Sequence, residues 1–477
     1  MALNMTVSSI KNAEGKVLTE NISGENYTPY GLFKKLNGIA LFESASFGKG
    51  KGRYSIIMLR DAFSVFQVGK EIFLKKKGKI YRIKTNYKDI LDVCSRISKQ
   101  HRGINYPFPF PAGGMGYIGY EYAKYFDTIA LKDKKANPEI PEAWFIFGHS
   151  FLIFDHYNDS ITILIINYNE NRIDPQKELK RIKEFLYDLN FNYLKPESEN
   201  YNSIPLNMNE EHESFLKGVK IIRREIIKGN ILQAVLSRRL YIHTNLPAIE
   251  AYRRLRSINP SPYMFLIDFK DFQIFGSSPE LHVKVIGNRV IMRPIAGTRP
   301  RGKNEEEDKK LEKELLNDEK ERAEHLMLVD LVRNDLGRIC KPGSVEVTDS
   351  YSIERYSHVM HIVSQVEGNL RKDIPSVEAI RKTFPAGTVS GAPKIAAMEI
   401  LDSMEKEKRG FYAGIVGYLE PSGNLDTCIS IRSALKSNDI MILQAGAGIV
   451  YDSIPEKEYQ ETSSKLKALG KSIGMEV

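Results

Sequence analysis

The sequence predicts an α+β fold rich in antiparallel strands, and three patterns along the chain support it. The short apolar runs 80–83, 144–154 and 161–166 have the composition of strands, and the polar turn 156–160 between the last two is typical of a hairpin. Helical periodicity occurs only in separate stretches. Because strands and helices alternate without a regular strand–helix–strand rhythm, this fold is favoured over a doubly wound parallel sheet.

The second half of the chain contains the clearest individual elements. Residues 211–228 carry apolar side chains three or four positions apart, which predicts an amphipathic helix. The apolar runs 411–419, 427–435 and 440–450 are separated by polar turns and predict an antiparallel meander. Residues 456–469 are expected to close the chain as a helix.

The chain length and one polar segment suggest the domain organisation. At about 150 residues per domain, 477 residues fit three domains or two large ones. Residues 195–203 are polar and have little to bury, so they are the best linker candidate. We therefore expect an N-terminal domain at 1–195, a linker at 196–210 and a C-terminal domain at 211–477.

Composition excludes several classes of protein. Hydrophobic residues make up 42% and charged residues 27% of the chain, which is ordinary for a globular protein and excludes wholesale disorder. The net charge of +9 is spread along the chain in short basic runs such as 75–77, whereas a nucleic-acid binder usually concentrates it in one patch. The hypothesis that the chain is a basic interaction or nucleic-acid module thus rests on its net charge alone. An anionic small substrate explains that charge equally well, and no nucleic-acid partner is expected.

The cysteines and the apolar runs indicate the cellular setting. Cys94, Cys340 and Cys428 are too few and too scattered for a disulfide framework or a thiolate metal site. No secretory signal is visible, and the longest apolar run, 144–154, is interrupted by polar residues and is too short for a bilayer span. We expect a soluble cytoplasmic protein with no membrane partner.

Two pairs of glutamates are candidates for a metal site. Glu321 and Glu324 lie three positions apart, as do Glu458 and Glu461, and on a helix that spacing places both side chains on one face. Such carboxylates repel one another unless a hard cation gathers them, and Mg²⁺ takes oxygen ligands. Each pair alone is equally explained as an exposed helix face. Only convergence of the two pairs would make a metal site.

A histidine and three glycine-rich segments are further candidates. Strand alternation places His361 on one face with Val359 and Val363, where a histidine is more often a satisfied core residue than a catalytic one. Glycine-rich segments near 293–302, 384–394 and 444–448 offer free backbone N–H groups, which suit carboxylates or phosphates. None of these segments is specific alone.

Taken together, these segments resemble the chorismate-utilising enzymes, and within them the anthranilate synthase component I family. The resemblance is carried, in the family's order, by residues 236–239, 278–280, 295–302, 330–338, 358–364, 384–394 and 444–450, and more loosely by 41–44 and 52–55. It implies two tightly packed domains whose antiparallel-rich sheets form a sandwich with helices outside. The active site would lie in the C-terminal half.

The resemblance also implies an activity. Such enzymes are Mg²⁺-dependent lyases that convert chorismate and ammonia to anthranilate and pyruvate, the first committed step of tryptophan biosynthesis. The three cysteines lack the glycine-flanked setting of an amidotransferase nucleophile, so the ammonia is expected from glutamine through a partner amidotransferase, component II. The alternative is aminodeoxychorismate synthase component I of the folate pathway. Many such enzymes carry a lysine at the position of Ala296, and isochorismate synthases carry one at the position of Gln233, so this chain fits anthranilate synthase better.

Family resemblance assigns the site residues by position. For the metal and the catalytic steps, Glu324 and Glu461 would bind Mg²⁺, Glu321 and Glu458 would reach it directly or through water, Glu280 would protonate the departing hydroxyl, Thr388 would contact the ring, and His361 would act in the pyruvate-forming step. For the rest of the substrate, the resemblance implies Tyr412, Arg432, Gly446, Ala447 and Gly448 around the enolpyruvyl carboxylate, Gly297 and Thr298 at the amination site, and Gln233 in the substrate pocket. A tryptophan feedback site between the domains would use Glu43, Ser44, Pro262, Tyr263 and Met264, for which interface packing is the alternative explanation.

Overall fold

The computed structural model describes residues 3–6, 17–44, 52–84, 86–188, 201–356 and 359–476. The strands are β1 Leu3–Thr6, β2 Leu18–Ser23, β3 Ala40–Glu43, β4 Tyr54–Val68, β5 Glu71–Lys76, β6 Lys79–Lys84, β7 Met115–Ile118, β8 Ala143–Asp155, β9 Ser160–Ile165, β10 Ser203–Pro205, β11 Gln233–Thr244, β12 Tyr263–Asp268, β13 Gln273–Ser278, β14 Leu281–Ile286, β15 Arg289–Met292, β16 Ile295–Pro300, β17 Glu346–Arg355, β18 Val359–Asn369, β19 Gly391–Ala392, β20 Ile415–Leu419, β21 Leu425–Ile429, β22 Ser433–Ser437 and β23 Ile440–Ile449. The helices are α1 Pro29–Lys35, α2 Ile90–Ser98, α3 Ala123–Phe126, α4 Pro175–Tyr187, α5 Met208–Ile227, α6 Ala248–Ile258, α7 Glu305–Asn317, α8 Glu319–Gly337, α9 Val377–Thr383, α10 Lys394–Met404 and α11 Pro455–Ser472.

Antiparallel pairing dominates the sheet. In the N-terminal half, β4 pairs with β8 along most of its length, and β8 continues through β9 to β2. In the C-terminal half, β11 pairs with β23 over ten positions. The two halves share hydrogen bonds through β3 with β12 and through β7 with β20. Within the described strands, only β1 and β6 pair in parallel, so the predicted antiparallel-rich α+β fold is confirmed.

The longest strands of the sheet, β4 and β8, are buried on both faces along most of their length, which explains their long apolar runs. Along β4, Ile56 and Met58 belong to one large core, whereas Ile57 and Leu59 point the opposite way into a second core. Helices α4, α6 and α11 cover the second core with their apolar faces. A strand with both faces covered gains from apolar residues at every position. This arrangement places the helices outside the strand layers.

Most predicted elements appear close to their expected bounds, with one correction. The helix predicted at 211–228 is α5, and the closing helix predicted at 456–469 is α11. The run 427–435, however, is not one strand of a meander. It divides into β21 and β22, which pair with β14 and β13 respectively, and Arg432 at the break has a φ of 51°. Two buried strands joined by a sharp turn look like one apolar run in the sequence.

The expected linker lies partly outside the described residues, which omit 189–200. Its last part is already structured, because β10 pairs with β11 and α5 begins at Met208. The division into domains at 1–195 and 211–477 therefore stays a prediction. None of the described helices is both long and apolar enough to cross a membrane.

Candidate active site

A buried carboxyl group occupies the turn between β13 and β14. Glu280 is 7% exposed, and Thr388 Oγ1, from a short helical turn at Gly387–Val389, donates a hydrogen bond to Glu280 Oε1 at 2.8 Å. Burial raises the pKa of Glu280 to about 7, although the Thr388 hydrogen bond and the nearby Lys465 oppose the rise. A carboxyl group whose pKa lies near neutrality can deliver a proton at physiological pH.

A histidine lies on β18, which is separated from β14 in the sheet only by β15. His361, in β18, is opposite Thr298 of β16, and its Nδ1 is 3.0 Å from both the Gly297 carbonyl oxygen and Thr298 Oγ1. Gly297 forms a bulge with a φ of +68°, which turns its carbonyl toward the ring. If Nδ1–H donates to that carbonyl, Nε2 carries the lone pair.

The environment of His361 keeps the imidazole neutral. Burial lowers its pKa to about 4, and the positive charge of Arg432 adds to the effect. The adjacent residues Met360 and Ile362 point the other way, into an apolar cluster with Leu315 of α7. His361 therefore lies on the face of β18 opposite that cluster, as strand alternation predicts, and a neutral imidazole there can accept a proton.

A guanidinium and a phenol lie near the turn between β21 and β22. Arg432 adopts a left-handed backbone conformation at the break, and its Nη1 donates to the Lys465 carbonyl oxygen at 3.2 Å. Burial lowers the pKa of Arg432, and burial raises the pKa of Tyr412 to about 12, so the phenol keeps its proton. A planar guanidinium beside a phenol is well suited to a carboxylate.

The glycine-rich part of β23 has two different faces. A Cβ added to Gly446 would lie 3.3 Å from the Tyr412 hydroxyl, and one added to Gly448 would lie 2.5 Å from Gln233 Nε2. Glycine at both positions therefore leaves these side chains close to the main chain. Ala447 instead points into the core beneath α5 and α10. Of these three residues, Ala447 can contribute to a site only through its backbone.

The two glutamate pairs come together although more than a hundred residues separate them. Burial raises the pKa of Glu324 on α8, and repulsion from Glu321 and from Glu461 on α11 raises it further. Burial also raises the pKa of Glu458, with a contribution from Glu461. Glu324 and Glu461 are therefore close enough to repel each other, while a metal site at the two pairs stays a prediction.

These carboxylates are not arranged as a finished metal site. Glu321 pairs with Arg299 at 3.1 Å, and Glu461 pairs with Lys465 at 2.7 Å. Across the described parts of the chain, no group of three or more acidic, histidine or cysteine side chains has a metal-binding arrangement. The donor chemistry nevertheless fits a hard cation, because Glu324 is a half-buried carboxylate whose neighbours include further carboxylates.

A lysine that the sequence patterns did not single out lies at the centre of this cluster. Lys465 Nζ lies 2.7 Å from Glu461 Oε1 and 2.9 Å from the Gly446 carbonyl oxygen. Its charge also lowers the pKa values of Glu280 and Glu324. Its position four residues after Glu461 on a predicted helix was a signal that could have identified it.

A cavity of about 380 Å³ lies between the N-terminal and C-terminal halves. All five residues predicted for effector binding line it, namely Glu43, Ser44, Pro262, Tyr263 and Met264. Strands β3 and β12, which carry several of them, pair directly. The Glu43 carboxylate accepts hydrogen bonds from Arg256 Nε at 2.9 Å and from the Tyr252 hydroxyl at 2.6 Å. We call this space the interdomain cavity.

Known proteins resemble this chain along nearly its whole length. The family profile described as chorismate binding enzyme matches residues 63–471. The anthranilate synthase component 1 of Spirochaeta aurantia is 53% identical over 458 residues, covering 96% of this chain and 95% of the relative. The component 1 of Aquifex aeolicus is 39% identical and covers 99% and 98% respectively.

Solved structures agree with this similarity. The crystal structure of anthranilate synthase component I from Streptococcus pneumoniae TIGR4 superimposes with a TM-score of 0.79 at 35% identity, covering 88% of this chain and 92% of that one. The menaquinone-specific isochorismate synthase MenF of Escherichia coli, at 19% identity and a TM-score of 0.70, shares the fold. The chain therefore belongs to the chorismate-binding enzymes, in the anthranilate synthase component I family.

Proposed function

We propose that this chain converts chorismate and ammonia to anthranilate and pyruvate as the large subunit of a cytoplasmic anthranilate synthase. The observation that carries the proposal is the buried carboxyl of Glu280, which has a pKa of about 7. The charge of Lys465 acts both on this carboxyl and on the neutral His361, which supports a shared site. Together they provide one proton donor and one proton acceptor near pH 7. The similarity to component 1 enzymes supports the same activity.

Loss of the chorismate hydroxyl is the step assigned to Glu280. Hydroxide is a poor leaving group, so the departing oxygen needs a proton. Ammonia attacks the ring carbon next to the carboxylate-bearing carbon, and the ring double bonds shift to expel the protonated hydroxyl as water. The protonated carboxyl of Glu280 donates that proton, while the Thr388 hydroxyl holds Oε1 in place at 2.8 Å. Gly297 and Thr298 flank the amination site, next to the imidazole that they orient.

Elimination of pyruvate then makes the ring aromatic, and here His361 is the proposed base or orienting group. Neutral Nε2 removes or directs a ring proton as the enolpyruvyl group leaves. Arg432 and Tyr412 hold the enolpyruvyl carboxylate, with backbone donors from the strand at 446–448. Gln233, an amide, has no tendency to activate water, which suits a reaction whose nucleophile is ammonia.

Glu324 and Glu461 would hold Mg²⁺, with Glu321 and Glu458 acting directly or through water. When bound, the ion supplies Lewis acidity and neutralises the ring carboxylate of the substrate. The repulsion that raises the pKa of Glu324 supports a cation at this place. Lys465 already balances part of that negative charge.

Ammonia is proposed to come from a glutamine amidotransferase, the component II partner. The relatives' designation as component 1 supports a two-component assembly. The interdomain cavity is proposed to bind tryptophan as a feedback inhibitor. Its volume of about 380 Å³ and its lining by Glu43, Ser44 and the 262–264 segment support an amino-acid ligand.

Product analysis tests this proposal directly. The purified chain is incubated with chorismate, Mg²⁺ and an ammonium salt, and anthranilate fluorescence and pyruvate are measured. Equimolar anthranilate and pyruvate are expected. Accumulation of an aminated, non-aromatic product would instead indicate aminodeoxychorismate synthase. Absence of chorismate turnover, combined with salt-sensitive DNA binding, would indicate a basic interaction module.

A further inference from the structure

One arginine lies in the walls of two separate cavities. Arg293, just after β15, lines the interdomain cavity and also a small cavity of about 20 Å³ that is bordered by Glu280 and Thr388. The small cavity has room for about one water molecule. The guanidinium pairs with Glu354 of β17 through Nη2, and its Nε is buried with no hydrogen-bond partner among the described residues. Arg293 is therefore positioned to respond to a change on either side.

Its partner Glu354 lies close to His361, the proposed catalytic histidine. Glu354 also lines the interdomain cavity, and in the sheet it is directly opposite His361 of β18. The Tyr356 hydroxyl donates to Glu354 Oε2 at 2.9 Å, and the Tyr356 ring packs edge-on against the His361 imidazole with centroids 5.4 Å apart. A single side chain thus separates the carboxylate in the cavity wall from the imidazole.

The free donor on Arg293 indicates which ligand would act on this pair. A guanidinium binds a carboxylate best with two parallel N–H groups, and Nε–H is one of the groups available to it. An amino acid in the interdomain cavity carries such a carboxylate. If it bound there, it would compete with Glu354 for Arg293, because both are anions.

We propose that Arg293, Glu354 and Tyr356 are positioning residues that couple the interdomain cavity to His361. The inference rests on the proposed function, and it explains how a ligand in the interdomain cavity would reduce catalysis at His361. A ligand carboxylate that engages Arg293 releases Glu354, and the Tyr356 ring then loses the hydrogen bond that fixes it against the imidazole. Coupling between two sites of a protein typically changes affinity or activity by about 5–150-fold.

The test uses Glu354→Gln in the full chain, assayed with chorismate, Mg²⁺ and ammonium in the presence of tryptophan. Glutamine keeps the size of the side chain and can still accept the Tyr356 hydrogen bond, but it removes the charge that holds Arg293. The expected result is a severalfold fall in kcat, a KM for chorismate within about twofold of wild type, and a fractional residual activity at saturating tryptophan at least about fivefold above that of wild type. Tryptophan binding, measured by calorimetry, should be as tight as in wild type or tighter, because the competitor for Arg293 has lost its charge.

Two further variants separate coupling from general damage. Tyr356→Phe keeps the ring against His361 but removes its bond to Glu354, so it should weaken inhibition in the same direction with a smaller effect. Glu367→Gln is the matched control, since Glu367, on β18 with His361, forms a comparable ion pair with Arg289 of β15, away from both cavities. The control should be inhibited like wild type.

Several outcomes would contradict the inference. Normal inhibition of Glu354→Gln would show that the pair carries no coupling, and loss of tryptophan binding would show that it only shapes the cavity. Equal loss of inhibition in Glu367→Gln would indicate a nonspecific effect. Wild-type turnover without inhibition by tryptophan would overturn this inference alone, whereas absence of anthranilate formation would overturn the proposed function.

Discussion

The candidate active site and the interdomain cavity differ in how their buried charges are matched. Around the interdomain cavity each acid has a basic partner: Glu43 pairs with Arg256 at 2.9 Å, Asp426 pairs with Lys284 at 2.6 Å, and Glu354 pairs with Arg293. In the active site, Glu280 is held by the neutral hydroxyl of Thr388, and the neighbours of Glu324 include two further carboxylates.

The difference shows what each region is prepared to bind. A cavity whose charges are already paired can accept a zwitterion by exchanging partners, at little cost in net charge. A site with unmatched carboxylates is unfavourable when empty, and it improves when a proton or a metal ion arrives. Of these two regions, the one with raised carboxyl pKa values is therefore where chemistry is expected.

Removing one of the unmatched carboxylates should have the largest effect. Glu324→Gln is expected to lower turnover at least about 10³-fold, because the Lewis acidity of a bound metal contributes several kcal/mol to catalysis. Folding should be preserved, since the change relieves repulsion from Glu321 and Glu461. Turnover, Mg²⁺ binding and thermal unfolding are the measurements. Glu319→Gln, an exposed position on the same helix, serves as control, and near-normal turnover of Glu324→Gln at low Mg²⁺ would contradict the assignment.

Neutralising the proton donor tests the second unmatched carboxyl. Glu280→Gln should lower kcat by about 10²–10⁴-fold, the range typical of a lost general acid. In the wild type, activity that depends on protonated Glu280 should fall as pH rises through about 7. A pH profile of kcat/KM that lacks this limb in the wild type would contradict the role.

The same variant has a predicted effect on stability. The pKa of Glu280 is about 7 in the folded chain and near 4.5 when unfolded, so the native state binds this proton more tightly. Its ionisation therefore lowers the free energy of unfolding progressively between about pH 4.5 and pH 7. Glu280→Gln removes this penalty, and its melting temperature relative to wild type should be higher at pH 8 than at pH 5.

Replacing the histidine should separate the two halves of the reaction. His361→Ala is expected to lower anthranilate formation about 10²-fold, the lower end for a lost general base, while amination continues. Chromatography should then reveal an aminated intermediate that retains its enolpyruvyl group. His243→Ala, at an exposed strand position, is the control. Equal loss of both products without an intermediate would place His361 in the first step.

The smallest effect is expected from the neutral partner of Glu280. Thr388→Val removes the hydrogen bond that lowers the pKa of Glu280, so the alkaline limb of the pH profile should move to higher pH. We expect kcat/KM to fall about tenfold, in line with one lost hydrogen bond. Thr348→Val removes a similar bond to Glu367 outside the site and should change neither quantity. An unshifted limb in Thr388→Val would mean that Glu280 is not the titrating group.

Local patterns in the sequence predicted much of the fold, and their failures have a physical cause. The spacing of apolar residues identified α5, because helical and strand periodicities are properties of neighbouring residues. The run 427–435 was misjudged, because the sharp turn at Arg432 depends on pairing with β13 and β14, which lie far away in the sequence. That turn also brings Arg432 close to His361.

What the sequence determined by itself is the local arrangement of chemical groups: Glu321 with Glu324, Glu458 with Glu461, and His361 on one face of its strand. The tertiary structure decided which of these groups meet. It brought Glu324 within electrostatic reach of Glu461, buried Glu280 beside Thr388, and placed Arg293 in the walls of two cavities. The reason is that periodicity follows from backbone geometry over a few residues, whereas burial and charge pairing depend on contacts between segments that only the folded sheet brings together.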